Sequence, residues 1–210
     1  MIQIFPKPTV SITVNQFGIG GKNCSITDQD RTIIQNRCKN FLVIQFLIHQ
    51  RAQVKRRKFI EAVRIARPDV ILAPPAGMRD YNQDHDMTGY LAFQARVLAT
   101  VKAIKTEHDI IDHIPPLFYC TPLGMCSNYH PQYFVDISEE FEDKMNMFKC
   151  HDSQQGDWCR DAFGVSYNDI LKNENEYYAS MCGTPNVQYV EAFELCERWP
   201  VIAGAHKLLP

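Results

Sequence analysis

Residues 51–75 constrain this chain more tightly than any other stretch. From Arg51 to Ala66 apolar residues recur at Val54, Ile60, Val63 and Ala66 among lysines and arginines, which predicts an amphipathic helix. Pro68 must end it, because proline has no backbone N–H to donate and its ring clashes with the preceding turn. Val70-Ile-Leu-Ala73 follows, apolar at every position, and Pro74-Pro75 closes it. A short run with no polar face predicts a strand covered on both sides. Upstream, Phe41-Leu-Val-Ile-Gln-Phe-Leu-Ile48 predicts a second strand of the same kind. Strand, helix and strand in that order give a right-handed crossover between parallel strands. Units of this type imply the α/β class, as a Rossmann-like doubly wound, mostly parallel sheet.

Other elements are legible to different degrees. Val10-Ser-Ile-Thr-Val14 alternates and predicts a strand, followed by a break at Asn15 to Gly21 and a helix from Ser25 to Asn40. A helix is expected from about Asp86 to Lys102, with Met87, Leu91, Leu98 and Val101 inward. Leu117-Phe-Tyr-Cys120 predicts a strand. Asp136-Ile-Ser-Glu139 has the form of a capping box, ahead of a helix with Ile137, Phe141, Met145 and Phe148 as its apolar stripe. Residues 156–180 show no usable period.

Composition excludes several classes. The net charge is −2 over 210 residues, so there is no basic excess to neutralise phosphates, and nucleic acid is not an expected partner. The longest apolar run falls well short of the roughly 20 residues a membrane-spanning helix needs. Met1-Ile-Gln-Ile-Phe5 lacks the pattern of a signal peptide, so a cytoplasmic location is expected. Eight cysteines occur without a Cys-x-x-Cys pair, and they read as reduced thiols, mostly buried.

Chemistry concentrates after the Val70–Ala73 strand. The loop Pro74 to Asp86 carries Asp80, Asp84, Asp86 and His85, and leaves the carboxyl end of a parallel strand. Open α/β sheets bind ligands at that edge. A helix starting just after His85 would disfavour imidazolium there and keep the ring neutral, hence able to ligate a metal. On residue types alone a solvated loop capping the next helix explains the same residues, since one histidine among acids is weakly diagnostic. The Gly18-Ile-Gly-Gly-Lys22 loop follows a strand but lacks the spacing of a phosphate-binding motif, and reads as a tight turn.

Beyond these local patterns, an ordered set of blocks resembles the LmbE-like (PIG-L) N-deacetylases. Arg67-Pro-Asp-Val-Ile-Leu72 resembles a strand signature of that family, and Asp80-Tyr-Asn-Gln-Asp-His85 resembles its Asp-Tyr-His-Pro-Asp-His segment. Ile114-Pro-Pro-Leu-Phe-Tyr119, Tyr133-Phe-Val-Asp-Ile-Ser138, His151-Asp-Ser-Gln154 with Trp158, Val187-Gln-Tyr-Val-Glu-Ala-Phe193 and Leu208-Leu-Pro210 follow in the family's order. The resemblance implies one domain over 1–210, best matched over 67–210. It implies N-deacetylation of a small N-acetylglucosaminyl compound, with zinc as cofactor. His85 is the expected metal ligand, and Asp80, Asn82 and Asp84 are expected to line the site.

The chain departs from the family in two places. The family draws a second histidine, an aspartate ligand and the general base from a His-Pro-Asp-Asp segment, and this sequence contains none. Asn82 stands where the family carries histidine. The resemblance therefore implies an impaired or inactive site and a sheet incomplete at its first strand, with Met1 to Phe5 as one candidate replacement. His49, His108, His113, His130 and His151 are weak candidates to rebuild the metal site. A non-catalytic sugar- or partner-binding relative is the second reading, and a nucleotide-binding module using Gly18 to Gly21 the third. Homo-oligomerisation stays open.

Overall fold

The computed structural model describes residues 3–4, 41–43, 52–77, 82–122, 128–151 and 158–198. Their strands form one mixed sheet of six. In chain order the elements are β1 (Gln3–Ile4), β2 (Phe41–Val43), α1 (Ala52–Ala66), β3 (Val70–Ala73), α2 (Gln83–Leu98), β4 (Leu117–Cys120), β5 (Tyr133–Asp136), α3 (Phe141–Lys149), α4 (Trp158–Phe163), α5 (Tyr167–Cys182) and β6 (Val190–Leu195). The order across the sheet is β1-β5-β6-β4-β3-β2.

The expected crossover is present. β2 and β3 pair in parallel, with Phe41 opposite Val70 and Val43 opposite Leu72, and α1 connects them. β3 pairs in parallel with β4. β6 is antiparallel to both of its neighbours, which makes the sheet mixed. Among the described strands β2 lies directly beside β3, and Gln3–Ile4 pairs with β5 at the far edge. Of the Met1 to Phe5 stretch, the described residues Gln3–Ile4 therefore do not take a place beside β3. The expected strand at Val10–Val14, the Ser25–Asn40 helix and the end of the Phe41–Ile48 strand lie outside the described residues, as does the Gly18–Gly21 loop.

Both faces of the sheet are covered, and β3 shows why its sequence is apolar throughout. Ile71 and Ala73 join a core with Phe59, Ile60 and Val63 of α1, Leu91, Ala92 and Ala95 of α2, and Tyr178 and Ala179 of α5. Val70 and Leu72 face the other way, with Phe118, Val135 and Phe193 against Phe141 and Met145 of α3. Each of the larger of these side chains, fully removed from water, contributes on the order of 1.5–3 kcal/mol.

Three sequence expectations need correction. α2 starts at Gln83, so His85 lies inside its first turn rather than before it. Its buried face is Thr88, Gly89, Leu91, Ala92, Ala95 and Arg96, and Met87 is 41% exposed. Small residues let this helix approach the sheet closely, and small residues carry little hydrophobic signal. The second correction concerns Asp136, whose Oδ1 accepts the backbone N–H of Ser138 at 2.9 Å and its hydroxyl at 2.6 Å. That closes a local turn; α3 begins only at Phe141, with Glu140 as a cap that makes no side-chain bond. The third is the stretch without a period, which holds α4 and α5. Ser166 caps α5 by accepting from Asp169 N at 3.1 Å, and Gly183 ends it at φ 66°, a left-handed conformation that suits glycine. Those two signals were present in the sequence. The apolar period was masked because the buried face of α5 includes Glu174 and Asn175.

Of the described cysteines, Cys159, Cys182 and Cys196 are buried while Cys150 is exposed. No described helix is long and apolar enough to cross a membrane.

Candidate functional site

The motif is placed by the close approach of α2 to the loop that leaves β3. Pro74 and Pro75 end the strand, and the chain continues through Ala76 and Gly77, which has φ 100°. Gly89 of α2 packs on this loop so tightly that a Cβ there would lie 2.2 Å from Pro74 O and 2.9 Å from Ala76 N. Helix and loop are thus locked together near the start of α2. This holds that start at the carboxyl edge of β3, the edge where α/β sheets bind ligands.

Asn82 is the N-cap of α2. Its Oδ1 accepts the backbone N–H of Asp84 at 2.9 Å, and its backbone carbonyl accepts from His85 N at 3.0 Å. Its Nδ2 lies 3.4 Å from Nε2 of His85. Asp84 and Asp86 stand in the same first turn, where the helix N-terminus favours negative charge. Thr88 ties this turn down by donating to Asp84 O at 2.7 Å. Asn82, Asp84, His85 and Asp86 are all half-buried, reachable from solvent but held by their neighbours. Asp80 lies outside the described residues.

The far end of α2 is fixed by charge. The C-terminal carbonyls of a helix carry partial negative charge and attract cations. Arg64 of α1, buried, donates to Ala99 O at 3.1 Å, Val101 O at 3.0 Å, Ile104 O at 2.9 Å and Thr106 Oγ1 at 2.7 Å. Arg96 is 1% exposed and donates to Pro115 O and Arg198 O at 3.4 and 3.3 Å. Burial draws its pKa below the ordinary guanidinium value.

Of the other candidate histidines, His108 and His113 are engaged elsewhere. His113 Nδ1 contacts Asp112 Oδ1 at 2.9 Å and its Nε2 lies 3.2 Å from Pro68 O, ahead of β3 and so at the opposite edge of the sheet from Asn82. His108 pairs with Glu61 of α1 through Nδ1. His151 is exposed at the end of α3. His49 lies outside the described residues. Among the described residues no three His, Cys, Asp or Glu side chains gather as a metal site.

A cleft of about 390 Å³, lined by Tyr119, His130, Gln132, Glu194, Cys196 and Arg198 among others, lies beside β6. Sequence reasoning passed over it, because it forms only when the end of β6 and the β4–β5 connection come together. His130 N donates to Glu194 Oε2 at 2.8 Å and Leu195 N to Gln132 Oε1 at 3.2 Å. Arg198 connects the cleft to the motif loop, since a Cβ on Gly77 would meet its Nη2 at 3.4 Å. Cysteine nucleophilicity is not on offer at the end of β4. Burial, with the charge of Glu191 nearby, pushes the Cys120 thiol up to about 12, so it stays protonated at neutral pH.

Comparison with known proteins gives a consistent direction. No family model matches the chain. It is 28% identical over 129 residues to a diacetylchitobiose deacetylase of Thermococcus kodakarensis, a match covering 61% of this chain and 46% of that protein. The chain thus spans about half the length of that relative. Its fold is similar to an N,N'-diacetylchitobiose deacetylase of Pyrococcus horikoshii solved with its inhibitor MPG (TM-score 0.56, 18% identity, 85% of this chain and 68% of that one). It is also similar to a conserved protein of Thermus thermophilus (TM-score 0.55, 25% identity, 71% and 60%). The 4-carboxy-2-hydroxymuconate hydratase GalB of Pseudomonas putida shares the fold as well (TM-score 0.54, 21% identity, 73% and 61%). At these identities the deacetylase structure and the hydratase speak for the fold alone.

Proposed function

We propose that this chain is a hydrolase-type relative of the LmbE-like deacetylases, built to act on the N-acetyl group of a small N-acetylglucosaminyl compound. The observation that carries this reading is the sequence match to a diacetylchitobiose deacetylase, taken with the position of His85 in a capped first turn at the carboxyl edge of β3. The sheet is read as part of a Rossmann-like doubly wound domain, to which the mixed sheet and its two covered faces are suited.

The metal reading is zinc, with His85 as one ligand and Asp80, Asn82 and Asp84 around it. The described residues do not by themselves make a zinc site. In such enzymes zinc supplies Lewis-acid polarisation of the acyl carbonyl and activation of water. What the described residues contribute is narrower. The first turn of α2 holds His85 at the strand edge, Asn82 fixes that turn, and the half-buried carboxylates give the corner an excess of negative charge. No His-Pro-Asp-Asp segment stands in these 210 residues. The reading therefore gives this chain alone slow hydrolysis or none.

Metal analysis of the purified chain and acetate release from N,N'-diacetylchitobiose test the proposal together. Zinc retention that falls in His85→Gln, with acetate release absent or at a trace, is the expected result. Zinc retention unaffected by His85→Gln, or no zinc at all, overturns the assignment of His85.

A further inference from the structure

The stretch from Arg51 to Arg67 carries seven basic residues and one acidic one, in a chain whose net charge is −2. The structure sorts the described cations by what they touch. Arg64 is engaged by the carbonyls that follow α2, and Arg67 lies 3.8 Å from Asp112 and donates to Ile110 O. The one acid, Glu61, accepts from His108 N at 3.1 Å and contacts the His108 ring. Arg56 and Arg57 are exposed, as are Lys102 and Lys105 in the segment after α2. Among the described residues no carboxylate forms an ion pair with any of these four.

Arg56 and Arg57 border a cleft of about 270 Å³, whose other described walls are Ile60 of α1, Leu98 at the end of α2, and Ile104. Ile60 is fully buried, and Leu98 and Ile104 pack against the core. Arg57 is fixed by donating through Nη2 to Lys105 O at 2.7 Å. The cleft therefore joins two guanidinium groups to an apolar floor. A guanidinium fork matches phosphate oxygens in shape and charge. A phosphate monoester carries about −1.5 to −2 at neutral pH, which suits two cations better than one. One term opposes an anion here, since the last carbonyls of a helix carry about half a negative charge. Arg64 brings a full positive charge to that end of α2 and outweighs it.

We propose that this cleft binds a small phosphate monoester, with the phosphate on Arg56 and Arg57 and an apolar portion on Ile60, Leu98 and Ile104. It lies at the C-terminal end of α2, whereas His85 lies in the first turn of that helix. The site is thus separate from the candidate active site and does not depend on the deacetylase reading. A single small cleft suits a small molecule; a nucleic-acid strand needs a basic groove several nucleotides long.

The test is isothermal titration calorimetry of the full chain with phenyl phosphate at low salt. Inorganic phosphate and phenol each supply one half of the probe. Phenyl phosphate should bind one to one and about tenfold more tightly than inorganic phosphate, because its ring covers the apolar floor. Arg56→Gln should weaken it about tenfold, and Lys172→Gln on α5 should leave it unchanged. Ile104→Ser should lower the affinity for phenyl phosphate and not that for inorganic phosphate. Arg57→Gln also loses the bond to Lys105 O, so Arg56→Gln, with thermal unfolding as its folding control, carries the test. Absence of saturable binding up to about 10 mM overturns the proposal. So does binding that Arg56→Gln leaves intact, or phenol binding as tightly as phenyl phosphate. Retention on phosphatidylserine vesicles or on a single-stranded oligonucleotide, lost in Arg56→Gln while phenyl phosphate gives no heat, would make this a macromolecular docking face and also overturn it.

Discussion

Replacing Gly89 by alanine sets two calculable effects against each other. In an exposed helix the change should stabilise, because alanine exceeds glycine in helix propensity by about 1 kcal/mol. Here the added Cβ would lie 2.2 Å from Pro74 O, 2.9 Å from Ala76 N and 3.0 Å from Pro75 C. Carbon–oxygen contacts normally settle near 3.3–3.6 Å, so the overlap with Pro74 O is about 1 Å. All three atoms are backbone, and two belong to prolines with restricted φ, so no flexible side chain can swing aside. Overpacking of this kind costs about 1–3 kcal/mol and sometimes more. Taking the upper end and subtracting the propensity gain leaves a net loss of about 2 kcal/mol. In a chain of this size each kcal/mol moves Tm by about 2–4 °C, so Gly89→Ala should melt about 4–8 °C lower. Differential scanning calorimetry or thermal circular dichroism reads this directly. Tyr90→Ala on the exposed side of the same helix serves as control and should change stability by no more than about 0.5 kcal/mol. A Gly89→Ala protein that melts at or above the parent would refute the close approach of α2 to the β3 loop, and with it the placement of His85.

Two further perturbations probe the supports of α2. Arg64→Met removes a cation from five acceptors, the carbonyls of Ala99, Val101, Ile104 and His108 and the Thr106 hydroxyl, for an expected loss of about 2–4 kcal/mol in urea unfolding; Arg64→Lys should recover only part of it, since one ammonium cannot span that fan of acceptors. Glu61 is pulled upward by burial, but hydrogen bonds from Thr106 and His108 and the charge of His108 outweigh this and hold its pKa below 4.5. A carboxylate with a lowered folded-state pKa adds stability that is present above the ordinary value and is lost as pH falls through the folded value. The acid limb of Tm against pH should therefore be shallower in Glu61→Gln below about pH 4.5, and an unchanged limb would remove Glu61 from the account.

What the sequence determined was the part of this protein written in local patterns. Proline at position 68 and the uniformly apolar Val70–Ala73 run, bounded by prolines on both sides, pointed to the end of α1 and to a strand buried on both faces, because proline interrupts a helix and a run with no polar face must be covered on both sides. The motif order placed His85 and Asn82 near the carboxyl end of that strand. Tertiary structure decided the rest. Strand direction is not encoded in a strand's own residues, so the antiparallel placement of β6 between β4 and β5 emerged only from pairing. α5 could not be found by hydrophobic period, because Glu174 and Asn175 occupy its buried face. The first turn of α2 began earlier than its apolar residues suggested, because a side-chain cap bond and a glycine contact, rather than hydrophobic residues, hold it in place.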